Sequence, residues 1–248
     1  SEMDIRDSSN ARALLPGVNT LEEWESWYEN PSVYSEITTP YSLKFVSKIT
    51  ARRMSTGVKY ANEVALSLVE HWEPEAVVFT SRHGELGRAE KLLTQLSQKE
   101  PLSPTDFIMS VHNSAAGSFT IAKKLTAPSS SLASGADSFI VGLLETISFL
   151  SNGYQRVLLV DFDSTLSPFF AQTFPANIPN VNYAVAFAIE NVATTLPRYG
   201  MQMKIHFDYK ELWEPSIPVS LAFYVHWLKK SSTFVLKGNH ATLEGAWV

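Results

Sequence analysis

The sequence predicts an α/β fold, with a β-sheet covered by helices on both faces. Residues 76–80 and 156–162 are nearly continuous runs of β-branched and other apolar side chains, the pattern of strands buried on both faces of a sheet. Segments with apolar residues at steps of three and four surround these runs, which indicates helices. Strands that alternate with helices in this way are typical of α/β proteins.

The composition limits what such a protein can do. The 248 residues include 25 Asp and Glu, 20 Lys and Arg and no cysteine, and 45% of them are hydrophobic. A chain of this size and apolar content can bury a substantial core. Without cysteine it can form no disulfide, thiolate metal site or cysteine nucleophile. The net charge of −5, with no basic stripe, argues against a nucleic-acid partner.

No segment has the pattern of a targeting or membrane-spanning sequence. Residues 1–11 are polar and mixed in charge, without the basic region and apolar run of a secretory signal. The longest apolar runs, residues 139–144 and 183–189, are much shorter than the roughly 20 residues that span a bilayer. We therefore expect a cytoplasmic protein with no membrane partner.

Composition divides the chain into three parts. Residues 1–50 form an aromatic-rich arm, in which Trp24 and Tyr28 share one face of a short predicted helix. These aromatic side chains are expected to be core or interface anchors. Residues 51–190 carry the main α/β pattern, and residues 191–248 are expected to complete the same domain as a C-terminal extension.

The remaining elements follow from the same patterns, with prolines and glycines marking their ends. Residues 181–189 and 201–207 are expected to be antiparallel neighbours, and Gly117 is expected to interrupt a helical segment. The predicted helices are residues 52–72, 85–98, 105–124, 136–150 and 219–228, and the predicted strands are residues 76–80, 129–133, 156–162, 181–189, 201–207 and 233–236.

The turn after the first buried strand carries Ser81, His83 and Glu85, at a position where α/β proteins often place functional groups. His83 and Glu85 could form an acid–base pair. The alternative is local: Ser81 is the N-cap of the next helix, and Glu85 lies near the positive end of its dipole. Gly84 alone does not make a phosphate-binding loop, which needs several converging N–H groups. The local role is the favoured interpretation.

Ser134 precedes a long apolar helix, in the order Ser134-Gly135-Ala136-Asp137. This order resembles a capping box with Asp in place of the usual Glu, in which the serine hydroxyl accepts from a backbone N–H at the start of the helix. A serine nucleophile at the positive end of the helix is the functional alternative. The G-x-S-x-G motif is missing, and no His and Asp partner can be assigned from the sequence, which favours capping.

Asp161 and Asp163 lie at the end of the strand that begins at Arg156, with both side chains on one face. Paired carboxylates at the end of a strand can hold Mg²⁺. No glycine-rich phosphate loop precedes them, so a role in a turn or a hydrogen bond to a neighbouring loop is favoured. The histidines elsewhere lack the spacing of a zinc site. We therefore predict no metal and no cofactor.

Four sequence blocks, taken together, resemble a known family. They resemble the short β-ketoacyl-synthase-like proteins that correspond to the N-terminal half of a condensing enzyme, found in type II polyketide and fatty-acid-like systems that make aryl polyene pigments. The resemblance covers about residues 24–170 and implies a thiolase-like fold with a mixed sheet. The blocks are FTSRHGEL (residues 79–86), LSPTDFIMSVHNSAAG (residues 102–117), SGADSF (residues 134–139) and VLLVDFD (residues 157–163).

The resemblance implies a protein without the reactive groups of a condensing enzyme. In that family a cysteine before the long buried helix takes the acyl chain, and here Ala133 or Ser134 stands nearest to its position. The histidine motifs of the second half are not found, and Asn239-His240 is only a weak echo of them. The implied role is that of a chain-length factor. Such a non-catalytic subunit forms a heterodimer with a cysteine-bearing ketoacyl synthase and meets the acyl carrier protein through that complex.

Two segments are expected to contact the synthase, and two other functions stay open. The alternatives are a stand-alone acyl-carrier-protein thioesterase or acyltransferase that uses Ser134, and a purely structural homodimer. The residues implied for a strand that pairs across the dimer are Ser129, Ser130, Ser131, Leu132 and Ala133. The residues implied for a loop that lines the partner's acyl tunnel are Phe107, Met109, Ser110, Val111, His112 and Asn113.

Overall fold

The computed structural model describes residues 10–31, 41–173, 180–191, 201–209 and 215–247. None of the helices in these ranges is long and apolar enough to cross a membrane. In chain order the elements are β1 (Ala11–Leu14), α1 (Leu21–Glu29), α2 (Lys48–Ala51), α3 (Thr56–Leu68), β2 (Ala76–Thr80), α4 (Leu86–Ser97), α5 (Pro104–Ile108), α6 (Ser114–Lys123), β3 (Ser129–Leu132), α7 (Ser138–Ser151), β4 (Arg156–Asp163), α8 (Pro168–Ala171), β5 (Tyr183–Glu190), β6 (Met201–Phe207), α9 (Val219–Lys229), β7 (Phe234–Lys237) and β8 (Ala241–Trp247).

The main sheet has five strands in the order β1-β5-β4-β2-β3. Strands β3, β2 and β4 run parallel, and β5 runs antiparallel to both of its neighbours, β4 and β1. The sheet is therefore mixed, with β1 and β3 at its edges. The expected pairing of residues 181–189 with residues 201–207 is wrong, because β5 lies between β1 and β4 and β6 belongs to a second sheet.

Helices cover the main sheet on both faces, as predicted. Helices α3 and α6 pack on one face, and α7 and α9 pack on the other. Neighbouring residues of a strand point to opposite faces of the sheet. Val77 and Leu158 therefore join the core under α3 and α6, while Val78 and Leu159 join the core under α7 and α9. Burial on both faces explains why the sequences of β2 and β4 are almost continuously apolar.

A second, three-stranded antiparallel sheet, in the order β6-β8-β7, packs beside α9. Strand β7 alternates: Phe234 and Leu236 are buried in the core shared with α9, and Val235 is exposed. The predicted helix over residues 219–228 and the predicted strand over residues 233–236 are confirmed. Strand β8 was not predicted, because its sequence mixes small, polar and apolar residues and gains its structure from the two strands that flank it.

The predicted N-terminal arm contributes directly to the core. Strand β1 pairs antiparallel with β5, with Ala11 opposite Phe187. Trp24 and Trp27 of α1 are buried, and the Trp24 ring packs edge-on against Tyr224 of α9 with 5.2 Å between ring centroids. Buried aromatic side chains contribute much of the apolar area in a core. The interpretation of these residues as packing anchors is therefore confirmed.

Gly117 does not interrupt a helix, contrary to the prediction. The helical segment breaks earlier, between Ile108 and Ser114, and Gly117 lies inside α6. A glycine within a helix costs up to about 1 kcal/mol but does not end it when the helix is held by packing. Here Ala115 and Phe119, on the inner face of α6, provide that packing.

A pair of glycine substitutions tests the packing of α7 on the sheet. A Cβ atom at Gly142 would lie 2.6 Å from Thr80 Cγ2 and 2.9 Å from Leu159 Cδ1, whereas a Cβ at Gly117 would meet nothing within 4 Å. We expect Gly142→Ala to lower the free energy of unfolding by about 1–3 kcal/mol. Gly117→Ala should raise it by about 0.5–1 kcal/mol through better helix propensity. Urea denaturation measures both, and equal stabilities of the two variants would contradict this packing.

Candidate functional site

Three segments meet beyond the carboxyl ends of β2 and β4. They are the turn at residues 81–85, the loop at residues 133–137 that leads into α7, and the turn at residues 237–241 between β7 and β8. Because β2 and β4 are parallel neighbours, their carboxyl ends lie on the same side of the sheet. Functional groups of α/β proteins commonly collect beyond the carboxyl ends of the strands, so we describe this region as the candidate site.

Asp163, at the end of β4, holds the turn that follows β2. Its carboxylate accepts hydrogen bonds from Ser81 Oγ at 2.6 Å, from the His83 N–H at 2.9 Å and from the Arg82 N–H at 3.2 Å. These donors converge on one buried carboxylate. These hydrogen bonds therefore fix the turn after β2 to the end of β4.

This turn replaces the predicted helix cap. Ser81 Oγ accepts from the Gly84 N–H at 2.7 Å, within the turn, and the N-cap of α4 is Glu85, which makes no capping hydrogen bond. The prediction of Ser81 as the N-cap is wrong, because the buried carboxylate of β4 recruits its hydroxyl. The Glu85 carboxylate accepts from Ser55 Oγ at 2.5 Å and Arg88 Nε at 2.6 Å, and burial raises its pKa. Glu85 thus anchors neighbouring elements.

Asp161 joins three further elements. It accepts hydrogen bonds from Thr80 Oγ1 of β2 at 2.5 Å, Tyr183 OH of β5 at 2.8 Å and Ser220 Oγ of α9 at 2.5 Å. Burial, followed by repulsion from Asp163, raises the pKa of Asp161 to about 7, and burial raises the pKa of Asp163 to about 6. Sequence reasoning missed Tyr183 and Ser220, since no local pattern marks residues so distant along the chain.

The hydrogen bonds show a structural role for the paired carboxylates. Each of the four oxygens of Asp161 and Asp163 accepts at least one hydrogen bond from a hydroxyl or backbone N–H. The favoured interpretation, a hydrogen bond to a neighbouring loop, is confirmed. In the part of the chain that the structure describes, no three His, Asp or Glu side chains are placed to hold a metal ion together.

Asp137 and Asn239 join the loop before α7 to the turn between β7 and β8. The Asp137 carboxylate accepts from the His240 N–H at 3.0 Å, and Asn239 Oδ1 accepts from the Ala136 N–H at 2.9 Å. The predicted capping box is wrong, because Asp137 serves this distant turn and no side chain caps α7. The structure thus brings Asn239-His240 next to Ser134, a proximity that the sequence does not reveal.

The contact between these two segments is close. A Cβ atom at Gly238 would overlap with Asp137 Oδ1 and would lie 3.1 Å from the Ala136 carbonyl oxygen. Only glycine allows the backbone of the turn to approach in this way. The C-terminal sheet is therefore fitted directly onto the loop that carries Ala133 and Ser134.

An open cleft of about 510 Å³ lies at this contact. Ser134 is exposed in it, and its backbone N–H donates to Ser138 Oγ at 2.9 Å. Burial lowers the pKa of His83 to about 4, which leaves its ring neutral at pH 7. The lining residues are Arg82, His83, Leu86, Ser134, Gly135, Asp137, Asn239 and His240.

Strand β3 forms one edge of the main sheet, with β2 on one side only. The carbonyl groups of Pro128 and Leu132 accept hydrogen bonds from the N–H of Val77 in β2, at 3.0 Å, and from the N–H of Ser81 just after β2, at 3.2 Å. Alternate residues of a parallel strand bond to the same neighbour. The N–H and C=O groups of Ser129, Ser131 and Ala133 therefore point to the open edge. The strand lies where the prediction placed it, and its pairing across a dimer stays a prediction.

The predicted tunnel-lining residues lie on the surface. Phe107 belongs to the end of α5, and the other residues follow in the loop to α6. Phe107, Ile108 and Val111 are 64%, 68% and 50% exposed, so the described chain leaves three large apolar side chains largely uncovered. His112 points inward instead, and its Nε2–H donates to the Ser81 carbonyl at 3.2 Å. Their role in a tunnel stays a prediction. Of the remaining predicted residues, Met109 and Ser110 are half-buried and Asn113 is exposed.

Comparison with known proteins identifies relatives of this chain. The sequence model of the β-ketoacyl synthase N-terminal domain matches residues 24–247. A chain in the complex of the ketosynthase ApeO with its chain length factor ApeC, from Xenorhabdus doucetiae, is 36% identical, with a TM-score of 0.85 and 98% of both chains covered. No curated protein matches.

More distant structures share the fold. A chain of the ishigamide ketosynthase/chain length factor is 12% identical, with a TM-score of 0.73 and 100% of both chains covered. A β-ketoacyl synthase from Burkholderia phymatum is 11% identical, with a TM-score of 0.61, and the match covers 93% of this chain and 71% of that one. The predicted thiolase-like fold is thereby confirmed.

The buried carboxylates generate a prediction about pH. In the unfolded chain Asp161 loses its proton near its ordinary pKa of 3.8, whereas in the folded protein it keeps the proton up to about pH 7. The folded state binds more protons between these values, so this group lowers the free energy of unfolding as the pH rises through the window. Asp161→Asn should make that fall shallower. Urea denaturation at several pH values across the window measures the slope.

Glu100→Gln is the matched control, because it changes a carboxyl that is exposed on the surface. It should leave the slope as it is in the wild type. A slope that Asp161→Asn leaves unaltered would show that Asp161 does not carry this proton in the folded state.

Proposed function

The chain belongs to the β-ketoacyl synthase N-terminal domain family, and we propose that it is a non-catalytic, chain-length-factor-like partner of a ketoacyl synthase. The observation that carries the proposal is the 36% identity, over 98% of both chains, to a chain in a complex of a ketosynthase with its chain length factor. The chain contains no cysteine, so it cannot supply the thiolate of a condensing enzyme. The partner synthase is therefore expected to carry the cysteine.

The structural matches differ in how much of the other chain they cover. The B. phymatum synthase extends well beyond the matched region, which covers 71% of it. The matched chains of the two ketosynthase and chain length factor structures are covered to 98% and 100%. The fold match therefore extends over nearly the whole of the matched chains in these two structures.

The open edge of β3 supports a sheet that continues into the partner. Ser129, Ser131 and Ala133 direct backbone donors and acceptors outward, and an antiparallel strand of the synthase would satisfy them. Pairing there would extend the five-stranded sheet across the interface. Backbone hydrogen bonds of this kind fix the register of two chains but demand little from the side chains.

The surface loop supports a role in product length. A partner that covers Phe107, Ile108 and Val111 would remove three apolar side chains from water. In a closed tunnel, one methylene more or less is worth roughly 1–3 kcal/mol. Apolar side chains that enter the synthase's tunnel can therefore set where the growing chain stops. We assign the system to the aryl polyene type of type II polyketide synthesis, with the acyl carrier protein delivering substrate to the synthase.

A proline in the edge strand tests the pairing. Ser131→Pro removes an outward N–H without breaking a hydrogen bond to β2, a position where an edge strand tolerates proline. We expect the affinity for the synthase to fall by about tenfold or more, because one hydrogen bond is lost and the ring obstructs the approaching strand. Analytical gel filtration and titration of the two purified proteins measure the change.

Ser131→Thr is the control, since it keeps the N–H and should bind as the wild type does. Normal affinity of Ser131→Pro would remove β3 from the interface. A wild-type chain that never co-elutes with the synthase, and a synthase whose product length does not depend on the chain, would refute the proposed function. A wild-type chain that forms only homodimers would support the structural alternative.

Enlarging the loop tests the control of product length. Val111→Trp should shorten the dominant product, because the larger side chain fills part of the tunnel. The longest wild-type product should fall by about tenfold or more, the effect of removing room for one methylene unit. Val235→Trp places the same side chain on an exposed site of β7 and should change nothing. Mass spectrometry of the products made with the synthase and carrier protein measures both; equal product profiles would contradict a tunnel role.

A further inference from the structure

The loop between α5 and α6 is anchored from inside by His112. Its Nε2–H donates to the Ser81 carbonyl, at 3.2 Å, in the turn after β2. The ring lies against Gly84, whose φ is 54° and where a Cβ atom would come within 2.7 Å of His112 Cδ2. A larger residue at position 84 would displace the ring. The recess that receives His112 therefore depends on this glycine.

The other end of the loop is anchored by a pair of basic side chains. Asp106 of α5 accepts from Arg88 Nη1 at 2.7 Å and from Lys91 Nζ at 2.5 Å, both on α4. The Arg88 side chain is largely buried and also binds Glu85. The pair of Arg88 with Asp106 is largely shielded from solvent, whereas the Lys91 side chain is 58% exposed. Salt screens a shielded ion pair less than an exposed one. Helix α5 is thus held firmly on α4.

Between the two anchors lie side chains with little support of their own. Phe107, Ile108 and Val111 are at least half exposed. Because they pack on little else in the described chain, their positions follow from the backbone that is held at Asp106 and His112. Without the second anchor, the loop would gain conformational freedom that any partner would have to remove.

We propose that His112 is a positioning residue for product length, which holds residues 107–111 as a preformed wall for the partner's tunnel. This inference rests on the proposed function, since the wall acts only inside a synthase. The turn that receives His112 is itself fixed by Asp163, through Ser81 Oγ and the His83 N–H. A preorganised loop loses little entropy on binding and presents one tunnel depth instead of several.

Hydrogen exchange on the isolated chain tests the anchoring. His112→Leu fills the recess without a donor, and it should raise amide exchange in residues 107–113 by about tenfold or more. His112→Gln carries an amide N–H that can reach the same carbonyl and should restore protection. His206→Ala, which removes an exposed histidine of β6, is the control and should leave the loop unchanged. Equal loop exchange in His112→Leu and the wild type would overturn the anchoring.

Product analysis with the synthase tests the consequence. His112→Leu should still co-elute with the synthase but yield several product lengths in place of one dominant length, and His112→Gln should recover the wild-type profile. A wild-type profile from His112→Leu would overturn the positioning role and leave the proposed function intact. A wild-type chain that does not bind the synthase would overturn both.

Discussion

At the end of β4, two carboxylates are buried where the sheet, helix α9 and the turn after β2 meet. Removing a carboxylate from water is costly unless hydrogen-bond donors surround it. Here hydroxyl groups from β2, β5 and α9 surround Asp161, and the turn surrounds Asp163. The two carboxylates fix the positions of helix α9 and of the turn after β2 relative to the sheet.

The same constraint reaches the surface through the turn after β2. The Ser81 carbonyl of that turn accepts a hydrogen bond from His112, and it lies 3.5 Å from Ser138 Oγ at the start of α7. Asp137, the residue before Ser138, accepts a hydrogen bond from the His240 N–H in the turn between β7 and β8. The exposed loop, the cleft beside Ser134 and the C-terminal sheet are thus built on one rigid base.

The sequence revealed the buried parts of the fold better than its polar contacts. Strands β2 and β4 could be predicted because burial on both faces leaves an unmistakable apolar run. Strands β1 and β8 could not, because short mixed sequences become strands only through their neighbours. The capping box at Ser134 failed for a related reason: the true partner of Asp137 lies 103 residues away. Local rules cannot weigh such a competitor. The resemblance placed the chain in its family and singled out the loop before α6, but only the structure shows that His112 points inward.

The open edge of β3 has a consequence for the self-association of this chain. Its three serines offer little apolar area, so adhesion along the edge relies on backbone groups that any strand can match. A second copy presents the same edge, and a two-fold axis allows identical edges to meet. In the proposed pair, copies made in excess of the synthase would keep an uncovered template for self-association. Under the proposed pairing, balanced synthesis of the two subunits would limit this self-association, which depends on a strand of only four residues.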